Sequence, residues 1–278
     1  MSDELILVTG ATGKTGRRVV RLLQERGIPV REGSRSGSTR FDWDDPATWE
    51  PALRGVTATY LVVPALGAPQ ATEALAAFAR QAAGLGVRRA VLVSLPAAGT
   101  ADHGPVAAAE QALGEAGLAW TALRLRWFFQ NFSEDFLRDP VLSGEVRLPA
   151  GDAREAFVDA DDIAEVAVAA LTGSGHDGKA YELTGPRLLT FHDTVAAIAE
   201  ATGRDVRYVP LTAEEYADEQ RALGVPEEWV QVSDGFYAQF RSGDLASVSG
   251  DVERVLGRPP RDFADFVKAA VADGAWSA

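Results

Sequence analysis

The chain has no cysteine, which excludes disulfides and thiolate chemistry and fits a reducing, cytoplasmic setting. Positive charge is scarce. Lys and Arg together number 27 against 40 Asp and Glu, for a formal net charge of −13. Nucleic acid and anionic membranes are therefore poor partners, and any bound anion needs a local basic site. Lysine occurs only at Lys14, Lys179 and Lys268. No window approaches the roughly 18 apolar residues of a membrane span, and "MSDELILVTG" carries acids where a secretory signal needs basic residues. The expectation is a cytoplasmic monomer or homodimer that takes a small-molecule partner, with no nucleic acid, membrane or metal.

What is present reads as a large α/β protein. The chain has 278 residues, 46% hydrophobic and 24% charged, ordinary values for a globular chain. "ELILVTG", "PVREGSR", "TRFDW", "ATYLVVPA", "RRAVLVSL" and "AWTALRL" predict strands. Helical patterns lie between most of them, at "KTGRRVVRLLQERG", "QATEALAAFARQAAGLG" and from about Pro105. Strands alternating with helices of this length predict βαβ units and a doubly wound parallel sheet. Beyond about residue 145 the rhythm loosens. "DADDIAEVAVAALTG" and "TFHDTVAAIAEATGR" predict helices, the second capped near Thr190, and "KAYELTG" and "DVRYVPL" predict strands. Residues 212–243 predict two polar, aromatic-dotted helices broken near "GVPEE".

The sharpest motif is "LILVTGATGKTGRRVV". Gly10, Gly13 and Gly16 follow an apolar strand at the mouth of a helix, with spacing G-x-x-G-x-x-G. Gly10 permits a tight turn, Gly13 lets backbone N–H groups approach a pyrophosphate, and Gly16 allows close helix–strand packing. Lys14, Arg17 and Arg18 crowd the first helical turn, where the dipole disfavours cations unless a polyanion is near. An NAD enzyme usually ends its second strand in an acid for the ribose 2′-OH. Here the strand ends "GSRSG", and Ser34 with Arg35 suits a 2′-phosphate. Glu32 is the only nearby acid that argues for NAD. The cofactor expected is NADPH/NADP, with NADH the alternative. Asp42 and Trp43 stand where they either flank the adenine or, for Trp43, join the core.

The ordered set "VTGATGKTGRRV", "GSRS", "FDW", "YLVVP", "LRLRWFFQNFSEDF", "AFVDADDIAEVA" and "YELTGP" resembles the NmrA-like, atypical short-chain dehydrogenase/reductase family. The resemblance is strongest to the branch of festuclavine and agroclavine dehydrogenases, and it extends to atypical polyketide ketoreductases. It implies a Rossmann-type doubly wound parallel sheet with a smaller C-terminal α/β substrate lobe and helical lid. The NADP-binding core would cover 1–150, with the substrate lobe mostly in 151–278 and the lid helices about 212–243. By position it places Gly10, Thr12, Gly13, Lys14 and Thr15 at the pyrophosphate and Ser34 and Arg35 at the 2′-phosphate. Val63 and Pro64 would lie along the adenosine, Ser94 and Leu95 at the nicotinamide ribose, and 124–131 around the nicotinamide. Where the family commonly has Arg-Pro, this chain has Leu125-Arg126, which makes Arg126 a candidate substrate or phosphate contact.

Ordinary members of the wider superfamily pair a serine with Tyr-x-x-x-Lys, the tyrosine donating the proton. Four residues after Tyr60, Tyr181, Tyr208, Tyr216 and Tyr237 stand Pro64, Gly185, Thr212, Gln220 and Arg241, so that pair is absent. The remaining candidates are Ser94, His103, Tyr216 and Tyr237, or no protein acid at all. An iminium carbon accepts hydride without protonation, and a ketone can draw its proton from water or from an adjacent phenol. Trp127, Phe128, Phe129, Phe132 and Asn131 form one candidate substrate set, and Trp229, Phe236, Tyr237 and Phe240 a second; each is core or cleft. The expected activity is NADPH-dependent hydride transfer to a C=O or C=N bond of a polycyclic secondary metabolite. A dinucleotide-sensing regulator and a quinone reductase are the alternatives.

Overall fold

The computed structural model describes residues 4–96 and 104–277. In chain order the elements begin with β1 (Ile6–Thr9), α1 (Lys14–Glu25), β2 (Val30–Ser34), β3 (Thr39–Arg40) and α2 (Trp49–Leu53). Next come β4 (Ala58–Leu61), α3 (Pro69–Gly84), β5 (Arg89–Ser94), α4 (Pro105–Glu115) and β6 (Ala119–Leu125). Then follow α5 (Asn131–Glu134), α6 (Arg138–Ser143), β7 (Glu145–Leu148), α7 (Ala160–Thr172) and β8 (Lys179–Leu183). The last are α8 (Phe191–Thr202), β9 (Arg207–Pro210), α9 (Ala213–Ala222), α10 (Glu227–Ser242), α11 (Asp251–Leu256) and α12 (Phe263–Ala272).

These elements fall into two compact units. The first takes Met1–Leu125, Ala160–Leu183 and Gly250–Pro259; the second takes Arg126–Asp159, Thr184–Ser249 and Pro260–Ala278. This division differs from a single break near residue 150. The physical reason is pairing: β6 finds its outer neighbour in β8. The helix α7, with Ile163, Val166, Val168 and Leu171 wholly buried, belongs with α1 in the same unit.

The first unit is a seven-stranded sheet of order β3-β2-β1-β4-β5-β6-β8, parallel throughout. The order reverses between β1 and β4, the switch point at which open α/β sheets bind ligands beyond the carboxyl ends of their strands. Strand residues Ile6, Leu7, Val8, Leu61 and Leu92 have no solvent exposure, as strands covered on both faces require. Leu7, Leu61, Leu75, Phe78, Leu92 and Leu113 share one core, with Phe41 and Trp49 packed among them. The helix α1 buries Val19, Val20 and Leu23 and ends before Gly27, whose φ of 69° is a left-handed stop.

The second unit has a two-stranded parallel sheet, β7 with β9, and an aromatic core. Phe191 packs its ring against Trp127, Phe132, Phe157, Tyr208 and Phe240, with centroids 5.2 to 6.1 Å apart. Thr190 caps α8, as the sequence leads one to expect, and Asp193 completes a capping box with it. The polar stretch 212–243 forms α9 and α10, separated at Leu223–Pro226. Replacing the fully buried Phe191 removes the ring shared by five neighbours. Phe191→Ala is therefore expected to cost about 3–5 kcal/mol of unfolding free energy, measured by chemical denaturation.

Candidate functional site

The glycine turn is built by a backbone approach that no other residue permits. A Cβ at Gly16 would stand 2.1 Å from the Gly10 carbonyl oxygen. Gly10 has φ 61°, and a Cβ there would meet the Val62 side chain at 3.2 Å. The Thr9 hydroxyl donates to the Tyr60 carbonyl at 3.2 Å and accepts from the Val62 N–H at 2.8 Å, which pins the end of β4 beside the turn. The N-cap of α1 is Gly13, without a side-chain cap, and the first turn holds no acid. An uncapped helix start behind a cradle that any Cβ would fill fits a pyrophosphate. Thr12 and Gly13 are exposed, Lys14 is half-buried and Thr15 is buried. Of the three cations expected there, Arg18 is turned away. It donates to the Lys14 carbonyl at 2.9 Å and pairs with Asp161 of α7 at 3.3 Å.

The same edge gathers the ends of β2 and β4. Ser34 is half-buried at the end of β2, and the following loop curls so tightly that a Cβ at Gly37 would meet the Ser34 Oγ at 2.4 Å. Arg35 is exposed, and its guanidinium has no hydrogen bond or ion pair among the described residues. Glu32 accepts a hydrogen bond from Gln24 at 3.4 Å. The Asp42 carboxylate accepts the Asp44 N–H at 3.1 Å, while its carbonyl accepts the Trp49 indole N–H at 2.8 Å. Trp43 is half-buried. Its indole N–H donates to the Val62 carbonyl at 2.8 Å, and its ring stands edge-on to Phe41 at 5.1 Å. Val63 is buried and Pro64 exposed just past β4.

At the ends of β5 and β6 lies a buried charge network. Ser94 and Arg124 are register partners, as are Arg124 and Glu182. The Ser94 hydroxyl donates to the Glu110 carboxylate at 2.6 Å. Arg124 grips the same carboxylate at 3.0 and 2.7 Å and approaches Glu182 at 3.6 Å. Those hydrogen bonds raise the pKa of the Arg124 guanidinium further. The single hydrogen of Ser94 is thus committed to Glu110, leaving its oxygen only acceptor capacity. Glu110 escaped the sequence reading. Its signal is an acid on the apolar side of α4, between Ala109 and Leu113, both buried.

The other candidates scatter. Leu95 is exposed. His103 lies outside the described residues. Tyr237 is buried and Tyr216 half-buried, their rings 5.3 Å apart. Burial pushes both phenol pKa values up, so each holds its proton more tightly than a free tyrosine. Trp127 and Phe129 sit in the aromatic core of the second unit, Asn131 is buried and Phe128 half-buried. Trp229 and Phe236 are exposed, and Phe236 leans on Trp127 at 5.2 Å. Arg126 is a correction to the sequence reading. It is buried, bound to the Glu155 carboxylate at 2.6 Å and to the Leu245 carbonyl, so it is spent inside the second unit. Burial raises the Glu155 pKa, and Arg126 opposes that rise. Among the described residues no cluster of His, Asp and Glu is arranged to hold a metal, and no helix is long and apolar enough to cross a membrane.

Residues 10–174 match the sequence profile of a family described as NAD(P)H-binding. The chain is 36% identical to the NAD(P)H azoreductase of Xenophilus azovorans, across 96% of this chain and 98% of that protein. It is 31% identical to the agroclavine dehydrogenase of Claviceps fusiformis, across 94% of this chain and 96% of that protein. Its fold matches an NADPH-dependent quinone oxidoreductase of Escherichia coli crystallised with NADPH, with a TM-score of 0.80 at 23% identity. That match covers 96% of this chain and 99% of the other, and at such identity it is a likeness of fold. Two outcomes follow from the geometry. Gly16→Ala should weaken NADPH binding by at least about tenfold, on the order of 1.4 kcal/mol, in a fluorescence titration. Glu110→Ala, which leaves Arg124 only its ion pair with Glu182 at 3.6 Å, should cost about 1–3 kcal/mol of stability in urea denaturation.

Proposed function

The chain belongs to the NAD(P)H-binding family and is an NAD(P)H-dependent oxidoreductase of NmrA-like type, and from that premise we propose a specific reaction. The protein delivers hydride from NADPH, in preference to NADH, to a C=O or C=N bond of a flat, polycyclic secondary metabolite. It does so without a tyrosine–lysine acid. The observation that carries this reading is the state of Ser94. The residue that would polarise a carbonyl from the end of β5 has given its hydrogen to Glu110, and no Tyr-x-x-x-Lys pair exists in the chain.

The nicotinamide, when bound, supplies the hydride. The chain's own residues bind and orient. The turn from Gly10 to Gly16 and the start of α1 hold the pyrophosphate, Val63 and Pro64 flank the adenosine, and Ser34 with Arg35 holds the 2′-phosphate. The exposed Arg35 fork supports the choice of NADPH, because a guanidinium matches phosphate geometry in a bidentate way. With no protein acid, rate enhancement rests on holding donor and acceptor at near-attack distance, worth on the order of several kcal/mol. An acceptor that needs no protonation, such as a cyclic iminium, suits this best; a ketone takes its proton from water or its own phenol. The exposed rings Phe136, Trp229 and Phe236 of the second unit offer flat apolar surface. The azoreductase relative, by its name, reduces another conjugated acceptor.

NADPH absorbance followed with cyclic iminium ions, polyketide ketones, azo compounds and quinones tests the reading. Oxidation with an iminium or ketone is expected; tight NADPH binding with no oxidation on any acceptor would leave a dinucleotide sensor instead. A double change of Ser34 and Arg35 to Ala should raise the KM for NADPH by about tenfold or more, the scale of one or two charge-assisted hydrogen bonds. The KM for NADH should stay near its original value, and equal losses would place the 2′-phosphate elsewhere.

A further inference from the structure

Trp127 joins the interior of the second unit to its surface. Three of its ring neighbours, Phe157, Phe191 and Phe240, are buried, with centroids 6.4, 5.2 and 5.8 Å away. Two others are not. Phe136, at 5.9 Å, and Phe236, at 5.2 Å, each keep 50% of their surface in solvent. They come from distant parts of the chain, the turn before α6 and the middle of α10. Single exposed apolar residues are ordinary, but two phenyl rings converging on one indole make a patch that calls for an occupant. The indole is anchored by the core, so the patch is held in shape while it is empty.

We propose that Trp127, Phe136 and Phe236 form a specificity-determining site for a planar, positively charged acceptor. The acceptor lies against the exposed phenyl surfaces, and the Trp127 indole holds those two rings in place. Any flat apolar molecule gains from covering them. A cationic one gains more, because the negative face of each ring attracts a charge within about 6 Å of its centre. The surroundings favour the same sign. Glu134 and Asp135, both exposed, directly precede Phe136, and the whole chain carries a formal net charge of −13. The inference rests on the proposed hydride transfer and adds to it the charge of the acceptor.

The test uses the full chain with NADP⁺ present, so that no hydride moves. Two ligands of similar size are titrated by calorimetry in mildly alkaline buffer: N-methylquinolinium and the neutral 2-methylquinoline. The cation should show a Kd about threefold or more below that of the neutral ring, the scale of exposed cation–π contacts. Phe136→Leu combined with Phe236→Leu keeps apolar bulk but removes both ring faces. It should cost the cation more than the neutral ring and bring the two Kd values together. Leu223→Ala, which trims an exposed apolar residue elsewhere on the unit, should leave both Kd values unchanged. No preference for the cation in the wild-type chain overturns the proposal. So does a preference that survives the double change, or an equal loss of both ligands. A wild-type dimer that Phe236→Glu dissociates in sedimentation also overturns it, giving the patch to a second copy. Absence of NADPH oxidation with every acceptor would instead sink the proposed reaction, and the binding results would then judge the site on their own.

Discussion

The carboxyl edge of the sheet depends on how closely α1 comes down onto β1. That distance is set by two glycines: the Gly10 carbonyl occupies space that any Cβ at Gly16 would need. The restraint then passes from neighbour to neighbour. Gly10 leans on Val62, whose N–H is held by Thr9 and whose carbonyl is held by the Trp43 indole. Three strand ends and a helix start are thereby locked before any ligand arrives, which is the preorganisation that tight binding needs. A cradle made of backbone cannot tell one dinucleotide from another. On the reading proposed above, discrimination falls to side chains at the end of β2 and just beyond it, Ser34 and Arg35.

A different economy governs the ends of β5 and β6. Polar groups that another reductase would leave available are here bound to each other. Glu110 takes three hydrogen bonds, from Ser94 and Arg124, in a nearly dry setting. The second unit repeats the device with Arg126, Glu155 and the Leu245 carbonyl. Buried ion pairs are weak evidence for stability but strong determinants of geometry, since breaking one leaves a charge without water or partner. On the reading proposed above, the chemistry shifts away from side-chain acids and towards placement.

Motifs that are local in sequence were legible there. Three glycines at fixed offsets after an apolar strand could hardly be anything but a tight strand–helix turn, and a cap near Thr190 was legible from its residue type. The break between α9 and α10 was written as Gly224 and Pro226. What stayed hidden is long-range. Glu110 finds Arg124 only because α4 folds back over β5 and β6. Arg18 looks like a phosphate ligand until Asp161 arrives from α7. Arg258 of the stretch after α11 reaches Asp162 at 2.7 Å, a link no local pattern encodes. Aromatic clusters were ambiguous for another reason: a core and a binding surface draw on the same residues. Only burial separates Trp127 and Phe129, which are interior, from Trp229, which is not.

The interleaving of the two units has a consequence for how the molecule comes into being. The chain passes between them five times, and the first unit is incomplete until Pro259 has been added. A ribosome therefore releases β1 to β6 long before the edge strand β8 and the helix α11 exist to finish that sheet. Until then the outer hydrogen-bonding edge of β6 is open, the kind of edge that invites pairing with another nascent chain. Neither unit can be cut out as a continuous segment of the chain.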